Sequence, residues 1–235
     1  MPNCIIASTS TIYGDEPLAY LKEALDKLFI NCNEILFIPY ARPGGISHDE
    51  YTAYIHNIFK KSNKKVVGLH SFSNAQEAIS KAEGIFTGGG NTFVLVDQLH
   101  RNQLIEPLKD KIKAGIPYLG TSAGSNICGL TMQTTNDMPI VYPSSFKTLG
   151  IVPFNINPHY IDPDPDSKHK GETRETRIKE FHTLNSPSVV GLREGSWLRV
   201  DGTNIFLRGG LQARIFEKGK KPYEMATGSS LAKLI

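Results

Sequence analysis

The chain has 235 residues, with 26 Lys and Arg against 23 Asp and Glu, so its formal net charge is +3. This length is sufficient for one large domain with a buried core. The small net charge, without a long Lys/Arg run, argues against a nucleic-acid-binding protein. No stretch approaches the ~20 apolar residues that a membrane helix needs.

The cysteines and the first eight residues predict the cellular compartment of the protein. Cys4, Cys32 and Cys128 are odd in number and form no Cys-x-x-Cys motif, which argues against a disulfide framework and a cysteine zinc site. The first eight residues lack a basic region and a long apolar run, so they predict a strand rather than a signal peptide. We expect a cytoplasmic protein.

Apolar segments alternate with amphipathic helical segments along the first half of the chain. Strands are predicted at Cys4–Ala7, Glu34–Pro39, Lys65–Leu69, Gly84–Thr87 and Ile116–Gly120. Helices are predicted at Glu16–Phe29, at 48–62 after a capping box of Ser47 and Glu50, and at Asn74–Lys81, Thr92–His100 and Ile105–Ala114. This alternation is typical of a three-layer α/β fold, with a mostly parallel sheet and helices on both faces.

The second half of the chain is less regular. A helix is predicted at Gly171–Asn185, and short strands at Val189–Leu192, Ser196–Val200, Asn204–Leu207 and Ala213–Glu217. The dipeptide Asp201-Gly202 is typical of a hairpin turn, so we expect antiparallel strands in the C-terminal third. No Pro-, Gly- or Ser-rich linker separates the halves, and we interpret residues 1–235 as a single domain.

The segment Gly120-Thr-Ser-Ala-Gly124 matches G-x-S-x-G, the pattern of a nucleophile elbow between a strand and a helix. The predicted strand before it and the small residues after it fit that context. The N-terminus of the following helix would favour negative charge developing near Ser122. An ordinary Gly/Ser-rich turn and an anion-binding turn are the alternatives.

A nucleophilic serine needs a base. Among the seven histidines, His159 follows the apolar run 149–156 and Pro158, so it is predicted on a loop just past a strand. That position suits a general base. Asp137, in a polar loop between Ser122 and His159 in the sequence, is a candidate for the carboxylate that orients the imidazole.

The turn Gly88-Gly-Gly-Asn91 follows a predicted strand and precedes a predicted helix. It does not satisfy G-x-G-x-x-G, so a phosphate cradle is the weaker interpretation. The other interpretation is an oxyanion hole, since glycines let a backbone N–H approach a tetrahedral intermediate. Ala123, the residue after the serine, would supply the second N–H.

Two charged segments follow. Asp162-Pro-Asp-Pro-Asp166 lacks the glycine of a calcium loop, and its prolines do not suit one, so we predict no metal site there. His169-Lys-Gly-Glu-Thr-Arg174 precedes a predicted helix. It is either a solvated helix start or a site that recognises a charged substrate through Glu172 and Arg174.

Together these motifs resemble peptidase E, the aspartyl dipeptidase family. The resemblance extends from the first strand to about Trp197 and rests on five segments in order: Gly88–Phe93, Gly120–Gly124, Thr134–Ile140, Asn157–His159 and His169–Arg177. It implies a class I glutamine amidotransferase-like, flavodoxin-like fold. It also implies hydrolysis of dipeptides with an N-terminal aspartate, without metal or cofactor.

The resemblance implies roles for individual residues. Ser122 would be the nucleophile, His159 the base, and Asp137 the third member of the triad. The oxyanion-hole N–H groups would come from Gly89 and Ala123. Arg174, in the charged segment, matches the residue that the family is expected to use to bind the aspartate side chain of the substrate. We expect Glu172 to contact the α-ammonium group.

Two other functions remain open. One is a related serine hydrolase for another aspartyl linkage, and the other is a non-catalytic binder of small acidic ligands. A glutaminase is disfavoured, because those enzymes carry cysteine where this chain has Ser122. We expect a small dipeptide as the partner, neither nucleic acid nor membrane, and a monomer or a homodimer.

Overall fold

The apolar segments of the first half of the chain pair into a parallel sheet. The computed structural model describes residues 1–164, 166, 168 and 170–234. The strands of this half are β1 (Asn3–Ala7), β2 (Glu34–Ile38), β3 (Lys65–Gly68), β4 (Ile85–Thr87) and β5 (Pro117–Thr121). Each end agrees with the predicted strand to within one residue.

Helices connect these strands. They are α1 (Lys22–Leu28), α2 (His48–Lys60), α3 (Ala75–Lys81), α4 (Thr92–Arg101), α5 (Ile105–Lys113) and α6 (Ala123–Asn126). Helix α2 begins with the predicted capping box, in which Ser47 and Glu50 each accept the other's backbone N–H. Helix α1 is shorter than the predicted segment because Leu18 takes a left-handed φ of 60°, which an α-helix does not contain, and a 3-10 turn follows at Ala19–Leu21.

The second half adds one long helix and six strands to the described part of the chain. In chain order these are β6 (Asn155–Pro158), α7 (Arg174–Leu184), β7 (Val189–Leu192), β8 (Ser196–Asp201), β9 (Asn204–Gly209), β10 (Ala213–Phe216) and β11 (Tyr223–Met225). Strands β8 and β9 form the predicted hairpin, with Asp201 opposite Asn204. The sequence pattern does not predict β11, because three residues are too few to show alternation.

The strands are divided between two sheets. The larger sheet has the order β3-β2-β4-β5-β1-β8-β9, in which the first five strands are parallel and the last two are added antiparallel. The smaller sheet has the order β11-β10-β7-β6, and in it β6 and β7 run parallel. The antiparallel strands expected in the C-terminal third are present in the pairs β8–β9, β7–β10 and β10–β11, and the parallel pair β6–β7 lies beside them.

Side chains alternate between the two faces of the larger sheet, as a sheet covered on both sides requires. Along β1, Cys4 and Ile6 pack into the core that contains residues of α4 and α5, while Ile5 and Ala7 pack into the core that contains residues of α1 and α2. The three-layer α/β fold predicted from the sequence is confirmed. Its loops at the carboxyl ends of the strands are therefore the places to look for chemistry.

Candidate active site

Ser122 lies on a strained turn at the carboxyl end of β5. Its backbone has φ 55° and ψ −113°, a conformation that residues with a side chain rarely adopt. The N–H of Ser122 donates to the carbonyl oxygen of Ala7 over 3.1 Å, which ties the turn to the end of β1. Helix α6, which begins at Ala123, is a single turn, so it aligns few peptide dipoles behind the serine.

The two glycines of the G-x-S-x-G motif are required by close backbone contacts. A Cβ on Gly120 would overlap the carbonyl oxygen of Gly124, and a Cβ on Gly124 would overlap the carbonyl oxygen of Thr87. The absence of a side chain at these two positions therefore allows β5 and the turn to pack directly against each other and against β4. The packing holds the serine in its strained conformation.

His159 approaches Ser122 from the smaller sheet. It follows β6 directly and has a left-handed φ of 52°. Its Nε2 lies 2.9 Å from Oγ of Ser122, although the two residues are 37 positions apart in the sequence. The structure therefore brings the predicted nucleophile and the predicted base into hydrogen-bonding contact.

The carboxylate that orients His159 belongs to Glu194, on the loop after β7. Oε1 of Glu194 lies 2.6 Å from Nδ1 of His159. Since an ionised carboxylate only accepts hydrogen bonds, Nδ1 carries the proton of the neutral imidazole. Nε2 is then the acceptor, and the hydroxyl of Ser122 donates to it. Ser122, His159 and Glu194 thus form one hydrogen-bonded chain.

Asp137 occupies a different position from the one predicted, and this is a correction. Its Oδ2 accepts hydrogen bonds from the backbone N–H of Thr92 (2.7 Å), the hydroxyl of Thr92 (2.6 Å) and the hydroxyl of Thr135 (3.0 Å). Asp137 therefore caps the N-terminus of α4 instead of contacting His159. A carboxylate is favourable there because the first N–H groups of a helix have no partner within the helix.

The glycine turn before α4 lies against the serine. A Cβ on Gly89 would be 2.8 Å from Cβ of Ser122, so only glycine allows the backbone to come this close. The hydroxyl of Tyr51 donates to the carbonyl oxygen of Gly89 over 3.3 Å and so fixes the turn. Among the described residues, neither the N–H of Gly89 nor the N–H of Ala123 donates to a backbone oxygen in the hydrogen bonds that lie outside the helices and strands.

Arg174 is the first residue of α7 and is half-buried. Burial, and next the positive charge of Arg177, lower the pKa of Arg174, while the carboxylate of Asp137 opposes this lowering. Arg174 is thus within electrostatic reach of Asp137. No carboxylate among the described residues forms a salt bridge with it.

Glu172 pairs with Arg177 and not with Arg174. Its carboxylate lies 4.0 Å from Nε of Arg177, and 53% of its side chain is exposed. His169, from the same motif, lies outside the described residues, as does Pro165 of the acidic segment 162–166.

A network of ion pairs surrounds the loop that carries Glu194. The guanidinium of Arg193 binds both carboxylate oxygens of Asp162 (2.8 and 2.7 Å) and also pairs with Glu224 at 2.8 Å. Arg214 extends the network from Glu224 (3.0 Å) to Glu175 (2.9 Å). Hydrogen bonds from Arg193 are the main cause that lowers the pKa of Asp162 and of Glu224. Strand β11 and helix α7 are thereby linked to this loop.

Among the residues that the structure describes, no three His, Cys, Asp or Glu side chains converge in a way that could hold a metal ion. In the same residues, no helix has the length and apolar character needed to cross a membrane.

Comparison with known proteins identifies the family. The sequence model of peptidase family S51 matches residues 4–208 of the chain. The chain belongs to peptidase family S51. It is an enzyme, as the sequence predicts, and the expected assignment to the hydrolases is confirmed.

Relatives within family S51 match almost the whole chain. A peptidase E of Streptomyces coelicolor is 45% identical over 236 residues, which cover 99% of this chain and 95% of the relative. A probable alpha-aspartyl dipeptidase of Drosophila melanogaster is 40% identical and covers 99% of this chain and 97% of its own length. The resemblance to peptidase E that the motifs indicate is confirmed.

Solved structures agree with the fold of this S51 chain. A putative peptidase E of Listeria monocytogenes EGD-e has a TM-score of 0.67 at 19% identity and covers 90% of this chain and 100% of its own. A peptidase from an acI-B1 Actinobacterium has a TM-score of 0.70 at 18% identity and covers 98% of this chain and 96% of its own. These likenesses support the class I glutamine amidotransferase-like fold.

Glu194 contacts His159 but is part of none of the sequence motifs, although the sequence contains a signal for it. Strand β7 is predicted at its observed position, and Glu194 follows it by two residues. Because β6 and β7 are parallel, with Pro158 opposite Leu192, the loops that carry His159 and Glu194 leave the same edge. The sequence does not show which strands pair, so it does not reveal that relationship.

Proposed function

We propose that this protein is a serine-type dipeptidase that hydrolyses dipeptides with an N-terminal aspartate through an acyl-enzyme on Ser122. The observation that carries the proposal is the hydrogen-bonded chain from Ser122 Oγ through His159 to Glu194, with distances of 2.9 and 2.6 Å. The names of the relatives, peptidase E and alpha-aspartyl dipeptidase, support the choice of substrate.

In the first step, the hydroxyl of Ser122 attacks the peptide carbonyl carbon. Its proton passes to Nε2 of His159, which is already its hydrogen-bond acceptor at 2.9 Å. The imidazolium that forms is stabilised by the negative charge of Glu194, to which Nδ1–H remains hydrogen-bonded. His159 then gives the proton to the leaving amine, and water hydrolyses the acyl-enzyme by the same route.

The tetrahedral intermediate carries a negative oxygen that needs hydrogen-bond donors. We assign this task to the backbone N–H groups of Gly89 and Ala123. The close approach of Gly89 to Ser122 supports the first, and the place of Ala123 directly after the nucleophile supports the second. Loss of one such donor typically raises the barrier by about 3 kcal/mol.

Recognition of the substrate is assigned to two charged side chains. Arg174 is half-buried, so its guanidinium would pair with the aspartate side chain through a charge-assisted, ideally bidentate hydrogen bond. We assign the α-ammonium group to Asp137 rather than to Glu172. Among the described residues, Asp137 accepts hydrogen bonds only through Oδ2, which leaves Oδ1 for a ligand, whereas Glu172 pairs with Arg177.

We also propose that residues 1–235 act as one catalytic domain in the cytoplasm. The unpaired and buried state of Cys4, Cys32 and Cys128 supports a reducing compartment. The expectation that the enzyme is a monomer or a homodimer stays a prediction.

The experiment is a panel of peptides tested with the wild-type protein. We expect hydrolysis of Asp-Leu and little or none of Asn-Leu, because a pocket that pairs a buried charge discriminates steeply against a ligand that leaves it unpaired. N-acetyl-Asp-Leu tests the need for a free α-ammonium group, and Asp-Leu-Leu tests the limit to dipeptides.

The remaining outcomes separate the alternatives. Cleavage of a β-aspartyl dipeptide in preference to Asp-Leu would assign the site to another aspartyl linkage. Binding of Asp-Leu by calorimetry without turnover would contradict the proposed peptidase and favour a binder of small acidic ligands.

A further inference from the structure

We propose that Ser8 is a positioning residue that aligns Ser122 with His159 and Glu194. The inference rests on the proposed roles of those three residues. Ser8 follows β1 directly and is completely buried. Neither the G-x-S-x-G motif nor the charged segments include it.

The hydroxyl of Ser8 connects the two loops of the smaller sheet that carry the base and its carboxylate. Oγ accepts a hydrogen bond from the backbone N–H of His159 over 2.8 Å. Oγ also donates to the carbonyl oxygen of Leu192, two residues before Glu194, over 2.6 Å. One buried oxygen atom thus bonds both loops to the end of β1, beside the backbone hydrogen bond of 3.1 Å from the N–H of Tyr160 to the carbonyl oxygen of Leu192.

The backbone at the same point holds the other parts of the site. The carbonyl oxygen of Ala7 accepts the N–H of Ser122 over 3.1 Å. The N–H of Ser8 donates over 3.1 Å to the carbonyl oxygen of Ser196, two residues after Glu194. Residues 7 and 8 therefore contact the nucleophile turn and both sides of the Glu194 loop.

This contact joins the two sheets. Ser122 belongs to the larger sheet, at the end of β5, whereas His159 and Glu194 follow strands of the smaller sheet. The 2.9 Å contact between Ser122 and His159 thus depends on how the two sheets are aligned at their carboxyl edges. The side chain of Ser8 crosses that junction at His159 itself, whereas Asn126 of α6 crosses it three residues earlier, at the carbonyl oxygen of Ile156.

The backbone of His159 needs this support more than an ordinary loop residue does. The parallel pairing of β6 and β7 ends at Pro158 opposite Leu192, and proline has no N–H to donate. His159 then takes a left-handed φ of 52°, which costs free energy unless its surroundings hold it in place. The hydroxyl of Ser8 receives the N–H of His159 at that point.

Loss of the hydroxyl should lower the rate of the chemical step more than the binding of substrate. Ser8→Ala leaves the His159 N–H and the Leu192 carbonyl oxygen without this partner. A displacement of about 1 Å between catalytic groups can reduce a rate about 100-fold, so we expect a fall in kcat of that order. KM should change little, because neither Arg174 nor Asp137 is bonded to Ser8.

Ser196→Ala is the matched control. Ser196 is also completely buried, and its hydroxyl donates a hydrogen bond to a carbonyl oxygen, that of Leu211, over 3.0 Å. The substitution removes the same chemical group close to Glu194, but that hydroxyl bonds none of the catalytic loops. The backbone oxygen that accepts the N–H of Ser8 is retained.

The test measures kcat and KM for Asp-Leu together with the rate at which phenylmethanesulfonyl fluoride modifies Ser122. In the modification, the serine oxygen forms an S–O bond, fluoride leaves, and His159 takes the proton, so no aspartyl substrate is needed. We expect Ser8→Ala to lose kcat and modification rate in parallel, whereas Ser196→Ala stays close to the wild type. If the wild type cleaves no aspartyl peptide but is modified at Ser122, the proposed substrate fails and the modification rates still test Ser8.

Three results would overturn the inference: a wild-type kcat in Ser8→Ala, equal losses in Ser8→Ala and Ser196→Ala, or no modification of Ser122 in the wild-type protein. Ser8→Cys covers the case in which Ser8→Ala does not fold. Its thiol fills the site but is a weaker donor and acceptor. We expect it to fold and to be slower than the wild type, and full wild-type rates in Ser8→Cys would contradict the proposal.

Discussion

Oε1 of Glu194 lies 2.6 Å from Nδ1 of His159, and the two residues come from the ends of neighbouring parallel strands. About half of the Glu194 side chain is exposed, whereas His159 is one third exposed. The carboxylate of this pair is therefore the more exposed of the two groups. Asp137 has its hydrogen bonds at the N-terminus of α4 instead.

Substitution of the two carboxylates should separate their roles. Glu194→Gln keeps an oxygen that can accept the Nδ1 proton but removes the charge that stabilises the imidazolium. We expect kcat for Asp-Leu to fall by about 10²- to 10⁴-fold, as in other triads that lose this charge. Asp137→Asn is the matched control, and its main effect should be a higher KM for peptides with a free α-ammonium group. Steady-state kinetics on both variants measure this.

The opposite pattern would contradict the assignment. If Asp137→Asn lost kcat as severely as expected for Glu194→Gln, and Glu194→Gln kept it, Asp137 would be the functional partner of the base despite its position in this structure.

Much of this site follows from the sequence, because its main parts are local. The strained turn at Ser122 needs small neighbouring residues, and the glycines of the G-x-S-x-G motif are those residues. His159 is marked by the end of an apolar run and by Pro158. Gly89 is marked by a run of glycines between a strand and a helix. Each of these signals lies within a few residues of the group it identifies.

The parts that the sequence missed depend on contacts between distant segments. Glu194 becomes a partner of His159 only because β6 and β7 pair in parallel across 35 positions of sequence. Asp137 is in a polar loop that suits either a triad or a helix cap, and only the position of Thr92 decides between them. Strand β11 is held by its pairing with β10, as its three residues carry no pattern of their own.

Gly89→Ala tests the close approach of the glycine turn to the nucleophile. The added Cβ would lie 2.8 Å from Cβ of Ser122, so either the turn or the serine must move. This movement would take the N–H of residue 89 out of reach of the oxyanion, so we expect a loss of kcat of about 100-fold or more, the usual effect of losing an oxyanion donor. Gly44→Ala is the control, because a Cβ there meets no atom within 4 Å, and it should keep wild-type kinetics. Equal activity of the two variants would refute the role of Gly89.

Arg174→Met tests recognition of the aspartate side chain. Removal of the guanidinium should lower kcat/KM for Asp-Leu and bring its value close to that for Asn-Leu, because the charge that distinguishes the two peptides is lost. Arg177→Met is the matched control, since Arg177 is 56% exposed and faces Glu172. The ratio of kcat/KM between the two peptides is the measurement. A ratio that survives in Arg174→Met and collapses in Arg177→Met would assign the specificity to the other arginine.

The ion pairs around Arg193 predict a dependence of stability on acid pH. Hydrogen bonds from Arg193 hold the pKa of Glu224 below its ordinary value of 4.5. A pKa lower in the folded than in the unfolded state stabilises the fold above the unfolded value and loses this effect as the pH falls through the folded value. Glu224→Gln should therefore have a lower Tm than the wild type at pH about 7, and the difference should narrow on acidification to pH about 3.

Thermal unfolding at several pH values measures this difference. Glu106→Gln serves as the control, because Glu106 is 67% exposed in its pair with Lys109, and an exposed pair contributes little to stability. A Tm difference for Glu224→Gln that is the same at both pH values would show that its effect does not come from the charge.

The most direct test of the account is the hydrolysis of Asp-Leu by Ser122→Ala, in protein that circular dichroism and thermal unfolding show to be folded. The account predicts that kcat falls by about 10⁴-fold or more, because the nucleophile and the group that His159 activates are both lost. Turnover of Asp-Leu by Ser122→Ala at a rate near that of the wild type would contradict it.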